Sequence, residues 1–153
     1  MLSIHRVDFI VVGGIGAVLQ GAPLNTFDMD VVHSREEGNI SRLLVALEEM
    51  DAVHRFPPER KLKPAASHLS AKGHCLTMTR FGPLDLLGAI GHAHSYEDLL
   101  PASEEMLIGP GLTIRVLDLP TLIKVKEEVA APKDLAVLPI LRRTLEERRK
   151  REN

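Results

Sequence analysis

The chain runs through an apolar stretch, Val7 to Val12, straight into Gly13-Gly14, and no other feature restricts its fold as much. A short apolar run of this kind reads as a buried strand, and a glycine pair at its end reads as a tight turn. Residues 15 to 20 are helix-compatible, and Gly21-Ala22-Pro23 stops them. From Thr26 to His33 the pattern changes to alternation, with Phe27, Met29 and Val31 on one side and Asp28, Asp30 and Val32 on the other. Alternation with period two is the signature of a strand, so both aspartates fall on one face. Strand, glycine turn, short helix, strand requires a sheet with helices packed against it.

The remaining segments extend this order. Ile40, Leu43, Leu44, Leu47 and Met50 fall at helical spacing over 36 to 50, with Ser34 as the expected N-cap. Residues 54 to 74 hold three prolines and several basic side chains without a sustained period, and are expected to be mostly loop and the most mobile part. CLTMTR (75 to 80) and LDLLGAI (84 to 90) predict two antiparallel strands around Phe81-Gly82-Pro83. SYEDLLPASEEM predicts a helical piece, and LTIRVL (112 to 117) a last strand. LDLPTLIKVKEEVA and PKDLAVLPILRRTLEERRKR predict two C-terminal helices, with Pro139 kinking or dividing the second. The expected class is therefore α/β or α+β: a mixed sheet with helices packed on it and a C-terminal helical segment. A length of 153 residues fits one domain, 1 to 153, with a core at about 7 to 118 and C-terminal helices at about 119 to 151. With no Trp, one Tyr and four Phe, its core has to be aliphatic.

Two questions of chemistry follow from the first segment. Acids at i and i+2 on a strand stand about 6.5 to 7 Å apart with parallel side chains, within reach of a shared ion. Hard oxygen donors without converging Cys or His favour magnesium or manganese over zinc. Taken alone, such a pair is far more often the solvent face of an edge strand. The glycine pair before a helix frees backbone N–H groups and admits an anion without a Cβ in the way; alone, it is equally a plain turn.

Taken in order, Gly13-Gly14, the short helix, Gly21 and Thr26-Phe27-Asp28-Met29-Asp30 resemble the nucleotidyltransferase superfamily, which shares the catalytic core of DNA polymerase beta. Within it, the chain looks like the small bacterial members of the minimal and abortive-infection toxin types. TRFGPLDLLGAI resembles the strand that carries the family's third carboxylate, here Asp85, and SYEDLL with LPTLIKVKEEVAAPKDLAVLPIL resembles its C-terminal part. The resemblance implies that Asp28, Asp30 and Asp85 are catalytic and bind magnesium or manganese. It implies that Gly13, Gly14 and Thr26 contact the phosphates of an NTP, and that a nucleoside monophosphate passes to a hydroxyl on a tRNA end, a protein or a small molecule. An antitoxin or a second copy of the chain is the implied partner. Helical periodicity adds Lys126: it shares the stripe of Leu119, Leu122, Ile123 and Ala130 and faces inward, either as the cation for the leaving pyrophosphate or as a stem that covers apolar surface while its ammonium reaches solvent. Lys124, about 200° around the helix, is expected in solvent. Three positions depart from the pattern: Gly14 replaces a common serine, and Ala131 and Val137 stand where relatives often carry an arginine and an acid. Asp134 is retained. A catalytically silent nucleotide-binding or interaction module with the same fold is the alternative reading.

Other constellations read as structural. His92 and His94 with Glu97 and Asp98 lack converging partner segments for a zinc site, and His33 is expected at the surface. Cys75, the sole cysteine, is expected to pack as a strand thiol. HRFPPERKLK offers Arg55, Arg60, Lys61 and Lys63 to an acidic acceptor, or to solvent. A formal charge of −2 argues against a protein whose main role is coating nucleic acid, and no apolar run is long enough for a membrane span. The N-terminus lacks a signal-peptide layout, so the expected location is cytoplasmic.

Overall fold

The computed structural model describes residues 1–152. Its strands are β1 (Phe9–Val12), β2 (Met29–His33), β3 (Val53–His54), β4 (His74–Thr79), β5 (Gly82–Leu87), β6 (Ser103–Gly109) and β7 (Leu112–Leu117). Its α-helices are α1 (Gly13–Leu19), α2 (Glu37–Glu49), α3 (Ala66–Ser70), α4 (Tyr96–Leu99), α5 (Leu119–Val129) and α6 (Pro132–Glu152). All seven strands form one mixed sheet in the order β3-β4-β5-β2-β1-β7-β6. β1 is antiparallel to β2 and parallel to β7, while β2 is parallel to β5. The α/β class expected from the sequence is the class observed.

Alternation along the central strands divides the core between the two faces of the sheet. Val11, Val31, Leu86 and Val116 turn to one face and are covered by Ile40, Leu43 and Leu47 of α2. Ile10, Val12, Val32, Leu87 and Leu117 turn to the other, under Leu119, Leu122 and Ile123 of α5 and Leu138 and Leu141 of α6. Each face thus buries aliphatic side chains, and the near-total absence of large aromatics from both clusters matches the composition. Complete burial of one such leucine or valine contributes about 1.5 to 3 kcal/mol.

Several boundaries differ from the sequence expectation. β2 begins at Met29, so Phe27 (88% exposed) and Asp28 belong to the lead-in and not to the strand. The helical piece expected to reach Met106 ends in a short 3-10 turn at Ala102, and β6 follows. Local composition favours helix there, but pairing of Ser103–Gly109 with Leu112–Leu117 around Pro110-Gly111 satisfies the backbone as a hairpin instead. Glu36 is the N-cap of α2, and Ser34 Oγ accepts from Glu36 N at 3.3 Å in the turn before it. α6 runs unbroken through Pro139. Among the described residues no helix is long and apolar enough to cross a membrane.

Candidate functional site

The sheet register builds the site. Parallel pairing sets Met29 to Val32 of β2 against Leu84 to Leu87 of β5, which places Asp30 directly beside Asp85. Both side chains emerge on the α5–α6 face, the face shared by Val32 and Leu87. Adjacent strands lie about 4.8 Å apart, so the two carboxyl groups are forced together. Burial, then a hydrogen bond with Asp85, then repulsion by Asp85 and Asp28 push the Asp30 pKa from 3.8 up to about 7, offset in part by Lys133. With its pKa so raised, Asp30 is in part protonated at neutral pH. Oδ1 of Asp30 and Oδ1 of Asp85 are both buried without a hydrogen-bond partner.

The glycine turn closes on the same point. Gly13 has φ +65°, and a Cβ there would run into Oδ2 of Asp30. At Gly14 a Cβ would stand 2.8 Å from Oγ1 of Thr26. Val12, the N-cap of α1, has no capping side chain, so no side-chain acceptor at that position meets the first N–H groups of the helix. Gly13, Gly14, Thr26, Asp30 and Asp85 are therefore brought together. Asp28 is exposed, and its charge still reaches Asp30.

Two cations, neither of them Lys126, act on the carboxylates. Arg55 Nη1 lies 2.6 Å from Asp85 Oδ1, with the two side chains only 17% and 14% exposed. The same Nη1 donates to Thr77 O at 3.0 Å, and its contact with Asp85 is an ion pair off hydrogen-bond angle. Lys133, in the first turn of α6, lowers the pKa of Asp30 by its charge. Lys126 is half-buried, as its place in the stripe implies, but its ammonium pairs with Asp134 at 3.3 Å. Asp134, itself buried, also accepts from Ala131 N at 3.3 Å, so this pair fastens the turn between α5 and α6. Ala130, expected in the apolar stripe, is exposed at the C-cap of α5, whereas Lys124 is exposed as expected.

Arg55 also lines a hollow of about 700 Å³ with Glu48, Asp51, Phe56, Lys61 and Lys63. The sequence reading assigned this basic stretch to acceptor or solvent and gave no signal for a contact with Asp85. Lys133 was missed as well, although its place beside Asp134 at the start of a helix was visible.

The donor set can be tested against a divalent cation. A buried Asp30 oxygen without a partner and an Asp85 oxygen held only by the ion pair with Arg55, beside a turn that a side chain would obstruct, are hard donors suited to magnesium or manganese. Among the described residues no group of three or more His, Cys, Asp or Glu is gathered as ligands. Asp30 and Asp85 fit such an ion side by side, and Asp28, one residue before β2, acts on Asp30 through its charge.

Elsewhere, polar clusters are structural. His94 Nε2 donates to both Glu128 oxygens at 2.7 and 2.9 Å, and His92 Nδ1 lies 3.5 Å from Oε2, so Glu128 clamps the turn 91–94 to α5. His33, expected at the surface, is 1% exposed and donates through Nε2 to Leu69 O at 2.8 Å. Burial, and then the charge of Asp85, hold the Cys75 thiol above its usual pKa, unsuited to a nucleophile.

No family model matches the chain, and no curated protein matches it.

Proposed function

We propose that the protein is a magnesium-dependent nucleotidyltransferase, which moves a nucleoside monophosphate from an NTP to an acceptor hydroxyl and releases pyrophosphate. The observation that carries this reading is the half-buried Asp30–Asp85 pair, set side by side by strand register against Gly13, with one oxygen of Asp30 buried and without a hydrogen-bond partner. Two adjoining carboxyl groups repel when both are ionised, which a bound cation relieves, and the side-chain-free turn leaves room for phosphate beside them. Asp30 and Asp85 would hold magnesium or manganese, which neutralises charge on the triphosphate and on the leaving group. Gly13, Gly14 and Thr26 would position the phosphates, and Lys133, whose charge acts on Asp30, would meet the departing pyrophosphate. The acceptor oxygen attacks the α-phosphorus, the bond to the β-phosphate oxygen breaks, and the hydroxyl proton passes to a carboxylate of the pair or to water. The acceptor is a tRNA end, a protein or a small molecule, and a toxin–antitoxin context supplies an antitoxin partner.

A second reading, a catalytically silent nucleotide-binding module, is favoured by Arg55, which already neutralises Asp85. The test is incubation of purified protein and cell extract with α-labelled NTPs and magnesium. A transferase labels an acceptor, and Asp30→Asn and Asp85→Asn abolish the labelling. Binding of Mg-NTP without transfer selects the silent module, and absence of both binding and transfer rejects both readings.

A further inference from the structure

The sheet holds the backbone of Arg55 beside the carboxylate pair. Immediately after β3, its N–H donates to Leu76 O at 3.0 Å and continues the ladder with β4. Leu76 is in turn paired with Asp85, which is paired with Asp30, so the three strands deliver Arg55, Asp85 and Asp30 in one row. The guanidinium then reaches Oδ1 of Asp85 at 2.6 Å. An ion pair this buried carries a desolvation cost on both partners, and removing either partner leaves a bare charge. The contact is also incomplete, because Asp85 Oδ1 gains no hydrogen bond and Nη1 is shared with Thr77 O. A guanidinium and a divalent ion compete for the same carboxylate oxygen, since two cations that close repel in a half-buried site.

We infer that Arg55 is the resident counter-ion of Asp85 and a gate on the cation site: a divalent ion enters the Asp30–Asp85 pair only when the Arg55 side chain swings away. This rests on the reading of that pair as a cation site. The movement needs no change in the sheet, because the backbone of Arg55 is anchored independently of its side chain. The freed guanidinium has somewhere to go: Arg55 borders the hollow of about 700 Å³ that Asp51 also lines, while Glu48 on the same wall is paired with Lys63 at 2.7 Å. Arg55 is thus a positioning residue. It holds the Asp85 carboxylate in place without the cation, and it lowers the affinity for a free ion.

Mn²⁺ binding to the intact chain, followed by the electron paramagnetic resonance of free Mn²⁺, tests this without any activity. Arg55→Gln should bind Mn²⁺ about ten-fold or more tightly than the wild type, and Arg55→Lys, which keeps the charge, should stay near wild type. Adding Asp85→Asn to Arg55→Gln should erase the gain. In the unaltered protein, saturating Mn²⁺ should expose the guanidinium, so that phenylglyoxal modifies Arg55 several-fold faster by peptide mass spectrometry. A folded Arg55→Gln with unchanged or weaker Mn²⁺ affinity overturns the gate while leaving the cation site standing, provided Asp30→Asn still abolishes binding. Modification of Arg55 that Mn²⁺ leaves unchanged or slows overturns it too, even where Arg55→Gln fails to fold. If wild type and Arg55→Gln both ignore millimolar Mn²⁺, the cation site itself is rejected, and the gate with it.

Discussion

Asp30 carries the most information of any single residue in this chain, because its environment penalises its charge. Its pKa lies near 7 in the folded chain against 3.8 for an unperturbed aspartate, chiefly through burial and the neighbouring Asp85. Between pH 4 and 7 the folded state retains a proton that the unfolded state has lost, so stability falls as pH rises through that window and the loss is complete above it. The metal-free protein should therefore lose about 1 to 2 kcal/mol between pH 4.5 and 8 from this group, after allowance for solvent screening. Urea titrations at several pH values should show Asp30→Asn flattening that slope. Gly13 makes the neighbouring case. Its φ of +65° costs an L-residue about 1 to 2 kcal/mol, and a Cβ would collide with Asp30 Oδ2. Gly13→Ala should destabilise by at least that amount and abolish Mg-NTP binding. Gly14→Ala, facing the movable hydroxyl of Thr26 at 2.8 Å, should cost less in the same denaturation assay.

Among the elements, α6 goes furthest against its sequence. Pro139 lies inside it, where it removes one backbone hydrogen bond and crowds the preceding turn, yet the helix continues to Glu152. Leu138 and Leu141 explain its persistence, since both are buried against the sheet face that carries Ile10 and Val12. Tertiary burial overrides a local breaker. Because Pro139 is exposed, Pro139→Ala should remove the penalty without touching the core and raise stability by about 1 to 3 kcal/mol. For a chain of this size that is several degrees in a calorimetric melting temperature. The opposite conflict occurs at β6, where a helix-compatible sequence is taken by the hairpin with β7. By contrast β1, α2, β4, β5, β7 and α5 follow their own sequence pattern closely, because α2 and α5 each turn one apolar stripe to the sheet and the central strands are apolar on both faces.

At the scale of the whole molecule, the sheet needs cover on both faces. Ending the chain after Ala131 would strip Leu138 and Leu141 from Ile10, Leu117 and Leu122, and circular dichroism should then show no cooperative thermal unfolding. Asp30 and Asp85 lie on that same face, so the layer that completes the core also brings Lys133 to the carboxylates. Periodicity alone determined the aliphatic strands, the glycine turn, the main helices and the α/β class, because these depend on neighbours within a few residues. It also put Asp28 and Asp30 on one stretch and Asp85 on another. Only the tertiary structure decided that Asp30 meets Asp85, that Asp28 stays outside the strand, that Arg55 lies against Asp85 and that Lys126 turns to Asp134. Each of those follows from strand register or helix docking between segments far apart in the chain. The free energy that sets them is the burial of whole faces, which no single segment records.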